Sequence, residues 1–244
     1  MTQANVEQID YWNSRLADGG PRYVETNFDR IIVEPCNAVT AFVFVALAAY
    51  FLVRMWGRFR EHPFLCLCLP VLIAGGIGGT VYHALRAHKV FFLLDVIPIG
   101  LLIAMGSVYL WIRLKPRIWH LMIVAAIVTT FPALFTFHVE SHIAIVAHYM
   151  ALAALILMPI GIVLVRTNFR HAQLIYLALV CFGFAILFRF LDPVSAPVLS
   201  VGTHWLWHLG GAAATGLLAE YFYRIETEAI EPSATASLAP TPSA

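Results

Sequence analysis

Seven runs of about 20 apolar residues recur along this 244-residue chain. Each is long enough to cross a hydrocarbon core of roughly 30 Å. They span approximately Cys36–Trp56, Pro63–His83, Val90–Ile112, Trp119–Phe137, Ile143–Val165, Ala172–Leu191 and Thr203–Tyr223. In lipid every backbone polar group must find a partner within its own segment or in a closed barrel. Runs of this length, joined by short connections, therefore predict an all-α membrane protein built as a bundle of seven transmembrane helices. The chain is 61% hydrophobic and 12% charged, with a mean hydropathy of +0.81. A soluble domain carries about 25% charged residues. Those figures exclude a soluble domain, a disordered chain and a secreted disulfide scaffold. A net charge of +1 leaves no electrostatic footprint for nucleic acid. The cysteines Cys36, Cys66, Cys68 and Cys181 are spaced too widely for a tetrathiolate site, and most lie in apolar runs as small hydrophobes.

Three regions follow. Residues 1–35 form a polar head whose acids argue against a cleavable signal sequence. Residues 36–223 form the membrane domain, and residues 224–244 a tail expected to be disordered, rich in Ala, Ser, Thr and Pro after Glu231. Lys and Arg collect unequally at the two ends of the spans. Arg54, Arg58, Arg60, Arg113, Lys115, Arg117, Arg166, Arg170 and Arg224 fall on one side, against Arg15, Arg22, Arg30, Arg86, Lys89 and Arg189 on the other. The excess places the C-terminus in the cytoplasm and the N-terminus outside.

Ionisable side chains inside spans are costly and mark functional sites by default. His83 closes the second run, Asp95 lies one to two turns into the third, and His204 and His208 open the seventh. An even number of crossings separates these points, so all four share the non-cytoplasmic side. At 1.5 Å per residue, Asp95 and His208 lie within roughly 8 Å of their helix ends. The i,i+4 spacing of His204 and His208 turns both imidazoles to one helix face. Such a pair, with His83 as third ligand, suits zinc and leaves one tetrahedral position open for water. Asp95 is then positioned to accept a proton or to orient a ligand.

Spacing alone is weak evidence, because His138 and His142, flanking Glu140, form a second i,i+4 pair. These lie in a short loop and read as interfacial or substrate-access residues, with a second metal as the minority reading. His62, His120 and His171 fall at the basic edge and read as solvated. Gly75-Gly76-Ile77-Gly78-Gly79 lacks the Lys of a phosphate loop and sits within a span, so close helix packing accounts for it. The only lysines, Lys89 and Lys115, lie in loops, which removes a retinal Schiff base from the seventh span.

Gly76-Ile77-Gly78-Gly79-Thr80-Val81-Tyr82-His83, then Leu94-Asp95, then His204-x3-His208 resembles the alkaline ceramidases and the wider seven-helix hydrolase superfamily that includes the adiponectin-receptor group. In the head, Tyr23-Val24-Glu25-Thr26-Asn27 followed by Glu34-Pro35-Cys36-Asn37-Ala38 is similar to the acidic segment before the first span of ceramidase-like proteins. The resemblance runs from Tyr23 to about Tyr223. It implies a zinc amidase that cleaves ceramide or a related lipid amide, with His83, His204 and His208 as ligands and Asp95 handling protons. The family Ser that supports the oxyanion is Gly79 here, and the neighbouring Thr80 lies about 100° round the helix. The resemblance also implies a calcium site at Glu25, Asn27 and Glu34, with Asn37 nearby. The family's leading acid is Arg22 in this chain, however. A calcium ion there would lose one negative ligand, and an internal salt bridge from Arg22 is the expected replacement. Two other functions fit the same residues. One is a seven-span receptor or lipid-binding protein with structural zinc; the other is a bis-histidine haem protein using His83 with His204 or His208.

Overall fold

The computed structural model describes residues 15–115 and 141–237, with side chains described over 15–115 and 146–228. Regular structure in these residues is helical, apart from an isolated bridge between Arg15 and Pro21. Helices α1 (Pro35–Ala41) and α2 (Val43–Arg54) form one apolar rod, broken only at Phe42. The Thr40 hydroxyl donates back to the Cys36 carbonyl at 2.7 Å, a contact that bends helices. The remaining helices are α3 (Pro63–Leu85), α4 (Lys89–Leu114), α5 (Ser141–Arg166), α6 (Ala172–Ser195) and α7 (His204–Ser237).

Five of these helical stretches are long and apolar enough to cross a membrane: Pro35–Arg54, Pro63–Leu85, Lys89–Leu114, Val146–Arg166 and Ala172–Ser195, each with mean hydropathy between 2.1 and 2.4. The expected fourth run, Trp119–Phe137, lies outside the described residues, as do the side chains of His138, Glu140 and His142. The seventh run is helical but is not among the five. It carries the buried His204 and His208 and the partly exposed Glu220, and their polarity lowers the average. The chain stays helical past Tyr223 to Ser237, into the stretch expected to be disordered.

Tight connections make the neighbours. Only Arg86, Ala87 and His88 separate α3 from α4, and these two helices pack along their length. Helix α6 packs against α7 in the same way, α4 against α5, and the α1–α2 rod against α3 and α7. The core holds Phe51, Met55, Leu69, Leu110, Ile160 and Tyr221. Val53, Ile112, Val165 and Val194 stand at 65–74% exposure on the outer faces, where lipid would replace water. At Gly78, a Cβ would come within 2.6 Å of the Leu94 carbonyl oxygen, so the glycine run lets α3 and α4 meet backbone to backbone.

The head folds over one end of the bundle. Val33 and Glu34 donate their amides to the carbonyls of Ala84 and His83, at 2.9 and 3.1 Å, tying the head to the last turn of α3. Tyr23 and Val33, both from the head, are buried.

Candidate metal centre

His83 lies in the last turn of α3, and His204 and His208 lie in the first turns of α7. The start of α7 is held by Asp192, from the last turns of α6. Its Oδ1 accepts the amides of Thr203 and His204 at 2.7 and 3.0 Å, and its Oδ2 accepts the amide of Val24 at 3.1 Å. One carboxylate thus caps α7 and pins the head to it. The three histidines are 0%, 1% and 3% exposed. Their candidate ligand atoms lie within 4.8 Å of one another, close enough to share one ion.

Hydrogen bonds assign the ring nitrogens. His83 Nδ1 faces Glu34 Oε2 at 2.5 Å, so the N–H is on Nδ1 and the lone pair on Nε2. That Nε2 is buried without a hydrogen-bond partner, as is His204 Nδ1. His208 Nδ1 lies 3.0 Å from Thr40 Oγ1, whose single proton goes to a main-chain carbonyl. His208 is thus tied through its ring to Thr40 and to the Asn37 backbone at the start of α1. Orphaned buried nitrogens are rare in native proteins, and here they converge. A carboxylate behind a ligating histidine is the usual way of fixing its tautomer and raising its basicity. The donor set fits a metal ion.

Glu34 is itself surrounded. Oε2 also accepts from Asn37 Nδ2 at 3.3 Å, while Oε1 accepts from Thr26 Oγ1 and Arg86 Nη1, both at 2.5 Å. Burial works to raise the Glu34 carboxyl, but the hydrogen bond and charge of His83, with Arg86 and Thr26, hold it below the usual carboxylate range. Arg86 in turn grips Asp18 with Nε at 2.7 Å and Nη2 at 3.2 Å, and reaches the Pro21 carbonyl at 2.9 Å. Its side chain is fully buried. Arg86 ends α3 at φ +47°, a conformation uncommon for a side-chain-bearing residue. A cation that answers Glu34 is thus Arg86. Glu25 accepts the amides of Cys36 and Asn37 at 2.7 and 2.9 Å, capping α1, and Asn27 Oδ1 closes a local turn on the Asp29 amide at 2.9 Å. The oxygens expected for calcium are engaged with protein donors.

Asp95 is half-buried on the wall of an apolar cavity that it shares with Tyr23 and His208. The cavity follows α3 from Gly76 to Phe64, roughly 18 Å, toward the other end of the bundle. Asp95 rests on Gly79, where a Cβ would lie 2.5 Å from its Oδ1. The neighbouring Thr80 hydroxyl donates to the Gly76 carbonyl at 2.8 Å within its own helix. Gly79 therefore supplies room for the carboxylate, and neither residue offers a hydroxyl to the site.

Sequence reasoning missed Arg86, Asp18, Asp192 and Thr40. Arg86 counted only as a loop charge, and Asp192 lies at the end of a span without a recognisable motif. No protein-family model, curated protein or solved structure matches this chain.

Proposed function

We propose that this protein is a zinc-dependent intramembrane hydrolase of lipid amides, of which a ceramide is the representative substrate. The observation that supports it best is a cluster of three buried histidines, two of them with unpartnered ring nitrogens, beside a carboxylate and at the mouth of an apolar cavity. His83, His204 and His208 would hold the ion. When bound, it would act as a Lewis acid, polarising the carbonyl and making water a nucleophile near neutral pH. Asp95 accepts the proton of the attacking water and returns it to the departing amine nitrogen as the C–N bond breaks. The acyl chain occupies the apolar cavity, the head covers the mouth and excludes bulk water, and the site faces the non-cytoplasmic side.

A receptor-like lipid-binding protein with a structural zinc is the second reading. Gly79 favours it, since that position carries no side-chain hydroxyl for the oxyanion, a loss that costs about 10²–10³ in turnover. Haem fits poorly. The three imidazole centroids lie 4.8–5.4 Å apart and crowd one another, leaving no slot for a porphyrin plane. Metal analysis of purified protein alongside hydrolysis of a fluorescent ceramide tests the proposal. Stoichiometric zinc with turnover that His83→Ala abolishes supports it. Zinc without turnover favours the receptor, and protein that binds no zinc contradicts both.

A further inference from the structure

Among the described residues lining the cavity, Arg189 and Asp95 are the two formally charged side chains. Asp95 has a part in the proposed chemistry; Arg189 has none. Its guanidinium carbon stands 5.3 Å from the Trp207 ring centroid, 5.5 Å from that of Tyr149 and 6.0 Å from that of Tyr23. Tyr23 stacks on His204 with centroids 3.8 Å apart, so a single aromatic ring separates the guanidinium from the histidine cluster.

Depth agrees. Asp192 bonds the first amides of α7, which sets it level with His204. Arg189 lies three residues deeper on α6 and His208 four residues deeper on α7, roughly 4.5 and 6 Å respectively. The guanidinium is therefore at the level of the metal site. None of the ion pairs among the described residues includes Arg189. A cation at membrane depth faces a cavity or a partner; Arg189 hydrogen-bonds the Tyr23 side chain, feels the Asp95 carboxylate, and stands among the three rings on the cavity wall.

From this placement we infer that Arg189 seats an anionic group one or two bonds from the scissile amide. The substrate is then a lipid amide with an acidic head, such as an N-acylated amino acid, in preference to a neutral one. The guanidinium fork matches a carboxylate with two charge-assisted hydrogen bonds, whereas a neutral hydroxyl head offers it no close ion pair. This inference rests on the amidase reading of the same site and names its substrate class.

The test compares N-palmitoylglycine with N-palmitoylethanolamine, which share chain and amide and differ in head charge. With zinc-loaded protein in detergent, kcat/KM is expected to favour the acid by about tenfold or more. Arg189→Gln is expected to collapse that ratio toward one, and Arg189→Lys to retain part of it. A wild-type ratio at or below one overturns the inference without any variant. Equal loss on both substrates in Arg189→Gln also overturns it, because the guanidinium then serves the oxyanion or the fold. If neither amide is hydrolysed, the amidase reading fails and the binding of the same two lipids, followed by tryptophan fluorescence, decides this one. Tighter binding of the acid that Arg189→Gln removes supports it; equal binding overturns it.

Discussion

Glu34 touches four partners, and His83 is the one whose chemistry depends on it. Replacing it by Gln keeps the shape but removes the charge that favours an N–H on His83 Nδ1. Glu34→Gln is expected to weaken zinc binding by about 10–100-fold, read by competition with a chelating dye. Unchanged affinity would mean that His83 is not a ligand. Gly79 gives a second test at this scale. Because a Cβ there would meet Asp95 Oδ1 at 2.5 Å, Gly79→Ala must displace the carboxylate by a sizeable fraction of an ångström. Turnover is expected to fall by about 10²-fold with zinc content unchanged. Full activity in Gly79→Ala would remove Asp95 from the chemistry.

At the scale of the helix, α7 begins where Asp192 collects two of its amides and one from the head. Asp192→Ala loses the cap and leaves buried N–H groups unpaired. A loss of about 1–3 kcal/mol is expected in thermal unfolding in detergent, with weakened zinc binding because His204 is among the residues released. An unchanged melting temperature would contradict the capping role. The elements themselves were largely legible in the sequence. A bilayer imposes a length on every apolar run, and five such helices are present among the described residues. The i,i+4 histidines were legible because helix geometry alone puts both on one face. Asp192 was not, because a carboxylate that accepts backbone amides from a later helix has no spacing rule that reveals it beforehand. The low hydropathy of α7 has a local source: His204, His208 and Glu226 are polar residues that the bundle buries.

Across the whole molecule, head and bundle are joined through one buried chain of charges: Asp18 to Arg86, Arg86 to Glu34, Glu34 to His83. Asp18 and Arg86 lie 68 residues apart in sequence, and their pairing exists only once the head has folded over the end of α3. That separation is why Arg86 reads as a loop charge until the fold is known. Arg86→Met would leave two buried carboxylates without their cation. Removing one member of such a pair costs about 3–5 kcal/mol, so the head is expected to become protease-sensitive while the helices remain. A head that stays resistant in Arg86→Met would show that the ion pairs do not hold it.

Whether three imidazoles share one ion is read directly by X-ray absorption at the zinc edge of the purified protein. Three nitrogen scatterers at about 2.0–2.1 Å with one lighter-atom ligand, falling to two nitrogens in His83→Ala, is the predicted result. A sulfur-containing shell, a shell unaffected by His83→Ala, or protein that takes up no zinc would contradict it.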